Sequence, residues 1–173
     1  MTLTIDPQAL MEFMSIVLIG GLLGTALLFT RSDAAERLRS AVLDVCAFVA
    51  VGATAGSLYL SEVAGLIPCE LCWFQRIAMY PLAILLPYAR IRRDVGVLPY
   101  ARVLAVIGLM ISAYHVQLQL FPEQSSFCEL DNPCSSTVAE AFGIFSIPQL
   151  SFASFLLLVV HTSAALHTSR KDP

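Results

Sequence analysis

Charged residues are scarce in this 173-residue chain: 13% of it is charged, 57% is hydrophobic, and the mean hydropathy is +0.76. A soluble domain carries about 25% charged residues, so the composition excludes an ordinary soluble domain. The net charge of −3 decides little, and no nucleic-acid partner is expected. The chain is predicted to be a small polytopic membrane protein with one helical domain.

No lysine or arginine precedes the first apolar stretch, which therefore does not resemble a secretory signal. Internal repeats, low-complexity segments and an appended soluble domain are also lacking. Instead there are five apolar stretches to consider as spans, each of which needs about 20 residues. They cover residues 12–30, 41–61, 73–89, 100–121 and 144–166. The first is the weakest, and its alternative is an interfacial helix.

The predicted fold class is all-α: a polytopic, antiparallel bundle of membrane helices with short loops. Residues 1–40 form an N-terminal extension with a transmembrane helix and a cytoplasmic loop. Residues 41–167 form a four-helix membrane domain, and residues 168–173 form a cytoplasmic tail. Apolar spacing in residues 135–147 predicts a short helix on the membrane surface.

The basic residues predict the orientation, because nine of the ten fall in three polar regions that the positive-inside rule places in the cytoplasm. These nine are Arg31, Arg37, Arg39, Arg90, Arg92, Arg93, Arg102, Arg170 and Lys171. The acidic loops 62–72 and 122–143 then face outward. Four of the five cysteines therefore lie on the oxidising side, where disulfides persist.

The first cysteine pair is Cys69-Glu-Leu-Cys72, a CxxC motif where an outer loop meets the third apolar stretch. A helix that begins near this motif places Cys72 in its first turn, where free N–H groups and the helix dipole favour a thiolate. Arg76, at i+4, can share a face with Cys72. Both effects predict that the pKa of Cys72 lies below its usual value of about 8.5.

Arg76 has two interpretations, because it stands just inside the outer end of the third stretch. Its guanidinium can donate to a quinone carbonyl and stabilise negative charge as the ring accepts electrons. Alternatively, it is an interfacial anchor beside the aromatic Trp73. The position four residues after a CxxC favours the quinone.

The second cysteine pair, Cys128 and Cys134, encloses a turn-forming Asp-Asn-Pro sequence that can bring the sulfurs within disulfide range. A structural staple and a shuttle disulfide for a soluble partner both remain open. A zinc site of four cysteines is disfavoured, because the outer loops contain no histidine and Arg76 opposes a second cation.

Two further residues of reactive types lie within the apolar stretches. His115, in the outer half of the fourth stretch, is either a packed hydrogen-bonding residue or a quinone ligand. Cys46, near the cytoplasmic end of the second stretch, is predicted to be a small apolar core residue.

The string Cys69-Glu-Leu-Cys72-Trp-Phe-Gln-Arg76-Ile-Ala-Met-Tyr80-Pro81 resembles the signature of bacterial disulfide bond formation membrane proteins, the DsbB/BdbC family. The resemblance covers residues 41–166. It implies a four-helix catalytic core to which residues 1–40 add a further helix. It also implies a quinone-dependent thiol oxidase of the bacterial cytoplasmic membrane, which reoxidises a DsbA-like thioredoxin-fold protein.

The resemblance assigns roles to the four outer cysteines. Cys128 accepts the partner's thiol, Cys134 exchanges with Cys69, and the electrons pass to Cys72 beside the quinone, which is a ubiquinone or a menaquinone. The five-residue spacing of the second pair resembles the BdbC branch, which leaves the division of labour between Cys128 and Cys134 open.

The resemblance also makes Arg76 a quinone-binding residue and aligns His115 approximately with a family residue near the quinone. Two other functions remain as alternatives. One is a thiol reductase feeder that runs electrons outward, and the other is a non-catalytic membrane protein with structural disulfides.

Overall fold

The computed structural model describes residues 35–124, 134, 140–141 and 145–169, with residues 6, 8, 9, 12, 15, 16, 19 and 20 near the N-terminus. Four long helices make up nearly all of this part of the chain. They are α1 (Ala35–Leu58), α2 (Glu70–Arg92), α3 (Leu98–Leu120) and α4 (Ile147–Ser169). The predicted all-α membrane bundle is confirmed, whereas most of the 12–30 stretch lies outside the described residues.

The helices form an antiparallel bundle in which each one packs against its neighbours in the chain and α1 also packs against α4. Short connections from α1 to α2 and from α2 to α3 favour the antiparallel order of these three helices. The core between them is apolar, and its fully buried side chains include Leu43, Leu82, Leu86, Leu157 and Leu158. The C-terminal ends of α1 and α3 and the N-terminal ends of α2 and α4 therefore meet at one end of the bundle, the cysteine end.

Two helices show how the sequence builds this bundle. On α3 the buried residues recur at intervals of three or four, which is the period of one helix face: Leu98, Ala101, Ala105, Gly108, Ser112, His115 and Leu118. On α2 the outward face is also apolar, with Trp73, Phe74, Ile77, Ile84, Tyr88 and Ile91 exposed. An exposed face of this composition suits lipid rather than water.

Close packing of α3 on α4 depends on Gly108. A Cβ at this position would lie 2.2 Å from Cε1 of Phe155, whose side chain is fully buried. Such a distance is far below contact, so only glycine admits the ring here. This contact fixes how near the two helices approach.

Three helical segments of the described residues are long and apolar enough to cross a membrane: Ala41–Val63, Val95–Leu120 and Ile147–His167. Helix α2 is not among them, because Arg76 and charged residues at its ends lower its hydropathy. Prolines inside a helix, such as Pro81 and Pro87, usually bend or end it. The helix instead runs through both prolines to Arg92, held by packing on its neighbours.

The connections differ in length: residues 59–69 and 93–97 form short ones, whereas residues 121–146 form a long one. Helix α1 ends in a π-helical turn, Tyr59–Val63, and Gly65 in the following loop has a φ of 72°. Before α4, β1 (Glu140–Ala141) pairs antiparallel with β2 (Phe145–Ser146). These strands replace the predicted surface helix over residues 140–141 and 145–146, because pairing of the two backbones satisfies their N–H and C=O groups.

Candidate dithiol site

Cys69 and Cys72 lie at the start of α2, as the CxxC position predicts. Cys69 is the N-cap residue in an extended conformation, and its carbonyl accepts a hydrogen bond from the Trp73 N–H at 3.2 Å. Cys72 is therefore in the first turn. The extended N-cap turns the Cys69 side chain back over this turn, so that the two sulfurs meet.

Both cysteines are free thiols, with their Sγ atoms 3.1 Å apart. Cys69 is buried, whereas Cys72 is partly exposed. The hydrogen bond with the Cys72 thiol lowers the pKa of Cys69; burial opposes this effect, and His115 adds to it. The lowered pKa is therefore that of Cys69, because the hydrogen bond between the two thiols favours its thiolate, whereas the sequence predicts it for Cys72.

His115 reaches this pair from α3. Its Nε2 lies 3.7 Å from Cys69 Sγ and 3.1 Å from the backbone oxygen of Cys134. Its Nδ1 lies 3.0 Å from Nε2 of Gln75. The imidazole is 2% exposed, so these protein groups make up its polar surroundings.

The hydrogen-bond partners of His115 define its tautomer. A backbone carbonyl can only accept, so the proton must be on Nε2, which donates to Cys134. Nδ1 of the neutral ring is then an acceptor and receives an N–H of the Gln75 amide. The same Nε2–H faces the sulfur of Cys69.

Cys134 is disulfide-bonded and almost fully buried, at 1% exposure. It joins Cys69, Leu71 and Leu118 in one buried cluster, against which Cys72, Ile111 and Tyr114 pack. The structure thus brings a cysteine of the second pair to the first pair. Cys128 lies outside the described residues.

Arg76 is buried within α2, at 8% exposure, and points across to α1. Its Nε donates to Ser57 Oγ at 2.9 Å, and Nη2 donates to the Ser57 carbonyl oxygen at 3.0 Å. The guanidinium carbon lies 4.9 Å from the centre of the Trp73 ring, a cation–π distance. Both interpretations of Arg76 remain compatible with this geometry, since it contacts the interfacial aromatic and stands beside the dithiol.

One group of potential metal ligands occurs among the described residues: Cys69, Cys72 and His115, whose ligand atoms lie within 4.8 Å of one another. The sequence argument against zinc relied on the absence of histidine from the outer loops, and it did not foresee that α3 brings one. Metal binding at Nε2 would require its proton to leave and its bond to the Cys134 carbonyl to break.

Sequence reasoning missed Gln75 and Ser57. Gln75 occupies the buried face of α2, between Leu71 and Met79, and a polar side chain at such a position signals a buried partner. Ser57 carried no comparable signal, because its hydroxyl matters only once Arg76 lies against α1. Cys46, by contrast, is in the apolar core as predicted, far from the site.

An all-α membrane bundle with a CxxC dithiol and a buried, disulfide-bonded cysteine in one cluster defines a membrane thiol–disulfide protein. Residues 39–165 match the family model described as "Disulfide bond formation protein DsbB". The chain belongs to this family and is a multi-pass disulfide bond formation protein.

Among its relatives, a "Probable disulfide formation protein C 2" of Bacillus cereus is 37% identical over 72% of this chain and 91% of its own length. "Disulfide bond formation protein C" of Bacillus subtilis is 42% identical over 65% of this chain and 83% of its own. A "Probable disulfide formation protein" of Coxiella burnetii is 41% identical over 61% and 74%. No solved structure matches the chain.

Proposed function

We propose that this protein is a thiol oxidase that reoxidises a DsbA-like thioredoxin-fold protein and passes the electrons to a membrane quinone. The names of its relatives support disulfide bond formation. The observation that carries the proposal is that disulfide-bonded Cys134 lies in the same buried cluster as the thiol of Cys69. A purely structural staple in the second pair has no need of this proximity.

In this proposal Cys128 is the disulfide partner of Cys134, because it is the remaining cysteine of five once the three free thiols are set aside. A partner thiolate attacks Cys128 and forms a mixed disulfide, and Cys134 leaves as a thiolate. The partner's second thiolate then attacks its own sulfur in that mixed disulfide, which releases the oxidised partner and the Cys128 thiolate.

Electrons next move to the first pair by thiol–disulfide exchange, in which the second pair is oxidised as the first pair is reduced. The Cys134 thiolate attacks Cys69 in the Cys69–Cys72 disulfide, and Cys72 leaves as a thiolate. Cys128 then attacks Cys134, restores the second disulfide and releases Cys69. The described arrangement, with Cys69 and Cys72 as thiols and Cys134 oxidised, matches the product of this exchange.

The residues around Cys72 fit a quinone, which when bound supplies an acceptor for two electrons and two protons. Arg76 has five N–H groups, of which Ser57 engages two within the described part of the chain, so others can donate to a ring carbonyl. The partly exposed Cys72, rather than the buried Cys69, offers the accessible sulfur. Trp73, which is 53% exposed, provides an apolar surface on the lipid side of the proposed quinone site.

The proposed orientation places the cysteine end outside the bacterial cytoplasmic membrane. Arg90, Arg92 and Arg93 lie at the opposite end, as the positive-inside rule requires of a cytoplasmic face. Glu62 and Glu70 lie at the cysteine end. The C-terminus of α4 is then cytoplasmic.

Purified full-length protein tests the proposal when it is mixed with a reduced thioredoxin-fold CxxC protein and either ubiquinone or menaquinone. We expect quinone reduction that matches the oxidation of the partner, and loss of turnover in Cys69→Ser and Cys72→Ser. Asp44→Asn, at the opposite end of the bundle, is the matched control and should retain turnover. No turnover with either quinone would refute the oxidase.

A further inference from the structure

Cys134 lies in a turn rather than in a helix or strand. Its placement beside α2 therefore depends on contacts with side chains of the helices. His115 provides one such contact from the rigid face of α3, through the bond from Nε2 to the Cys134 carbonyl oxygen at 3.1 Å. The same nitrogen is 3.7 Å from Cys69 Sγ, so one N–H group lies between Cys134 and Cys69.

An imidazole can perform this task only in one tautomer. With the proton on Nδ1, Nε2 would present a lone pair to the Cys134 carbonyl oxygen, and the two acceptors would repel each other. The Gln75 amide donates to Nδ1 at 3.0 Å and so favours the tautomer with its proton on Nε2. Gln75 is 6% exposed, and loss of its partner would leave a buried polar group unsatisfied.

We propose that Gln75 is a positioning residue that, through His115, holds Cys134 beside Cys69 for thiol–disulfide exchange. Both ring nitrogens of His115 serve protein groups in this arrangement, so the imidazole aligns the two cysteine pairs. The inference deepens the proposed function, since exchange between the pairs is a step of that relay. The juxtaposition itself needs neither quinone nor partner protein, and it can be measured without them.

The test measures the effective concentration of the Cys69 thiol at the Cys134 thiol. Full-length protein carrying Cys72→Ser and Cys128→Ser is equilibrated with a glutathione redox buffer. Glutathione disulfide oxidises the two thiols to a Cys69–Cys134 disulfide and is itself reduced to two molecules of glutathione. Acid quenching, alkylation and mass spectrometry give the bridged fraction.

In this background Gln75→Met keeps the length of the side chain but removes the amide. We expect the effective concentration to fall by about tenfold, the equivalent of one hydrogen bond. Gln75→Glu should restore it, because a carboxylate can accept from Nδ1–H of an imidazolium that still donates from Nε2 to Cys134. His115→Ala should cost at least as much as Gln75→Met, and adding Gln75→Met to it should cost nothing further.

Gln119→Met is the matched control, because the Gln119 side chain accepts a hydrogen bond from Ser146 at the same end of the bundle, whereas the His115 ring bonds Gln75 and Cys134. It should leave the effective concentration unchanged. An unchanged value in Gln75→Met, or additive losses in the double variant, would overturn the proposal. If the protein reduces no quinone but its effective concentration still depends on Gln75, the oxidase is refuted and the positioning role of Gln75 stands. Failure of the inference is therefore distinguishable from failure of the proposed function.

Discussion

Arg76 is bound twice by one residue, Ser57, whose hydroxyl and carbonyl oxygens accept from the guanidinium at 2.9 and 3.0 Å. Two bonds to one residue set the direction of the guanidinium plane as well as its position. The cation also stands over the Trp73 ring. Arg76 is therefore held in a defined orientation beside the dithiol, as a binding group for a planar ring requires.

Ser57→Ala should weaken quinone binding while leaving thiol chemistry intact. The change removes the hydroxyl that accepts from Nε but keeps the backbone carbonyl, so the guanidinium stays charged and loses its fixed plane. We expect the KM for quinone to rise about fivefold, within the range of one hydrogen bond to a charged group, with little change in kcat. Ser154→Ala is the control, since the Ser154 hydroxyl donates to the Leu150 carbonyl within α4 and bonds neither Arg76 nor Ser57. Equal KM values in all three proteins would contradict the assignment.

The titration of Cys69 should depend on Cys72 more than on His115. The lowered pKa of Cys69 keeps it a thiolate as pH falls below the usual cysteine range, and the Cys72 hydrogen bond is the largest cause. Cys72→Ala should therefore shift loss of the thiolate to higher pH than His115→Ala does. Cys72→Ser, which retains a donor, should shift it less than Cys72→Ala. Thiolate ultraviolet absorbance, measured against Cys69→Ser, checks the order, and a reversed order would count against it.

Gly108→Ala should destabilise the bundle. The new Cβ would fall 2.2 Å from the Phe155 ring, which is buried and cannot turn away, so α3 and α4 must separate. We expect a loss of about 1–3 kcal/mol in the free energy of unfolding, measured by detergent titration. Phe155→Leu in the same chain should recover part of it. Gly52→Ala is the control, because nothing lies within 4 Å of a Cβ at that position. An equal loss of stability in Gly52→Ala would contradict the steric explanation.

Labelling of introduced cysteines checks the orientation. Glu62 is exposed at the cysteine end, and Asp94 is exposed in the α2–α3 connection at the opposite end. In a cysteine-free background, a membrane-impermeant maleimide should label Glu62→Cys in intact spheroplasts. Asp94→Cys should react only after permeabilisation. The opposite pattern would place the dithiol in the cytoplasm.

Much of the fold could be predicted from the sequence, because helix faces repeat at the period of the helix. The buried stripe of α3 contains His115 at a regular position, so its inward direction was already encoded. The CxxC at a helix start and the burial of Cys46 follow equally from local pattern. These features need no knowledge of which helix packs against which.

Several unpredicted features depend on contacts between helices. Gln75 and His115 are far apart in sequence, and their bond appears only once α2 and α3 pack. The lowered pKa of Cys69 comes first from its hydrogen bond with Cys72, and His115 of α3 adds to it, whereas the helix dipole and Arg76 pointed to Cys72. The helix also continues through Pro81 and Pro87, where local rules favour a bend or an end.

Helix α2 places both of its partnered arginines against α1: Arg76 on Ser57 near one end and Arg90 on Asp44 near the other. An arginine within a bilayer costs about 2.5–3.5 kcal/mol on insertion scales, and α2 lacks the hydropathy of its neighbours to offset that cost. We therefore expect α1 and α2 to insert into the membrane together, as a hairpin. A reporter fused to α2 alone should insert poorly, whereas a reporter fused to the α1–α2 hairpin should insert well. Equal insertion of the two fusions would show that α2 inserts without α1.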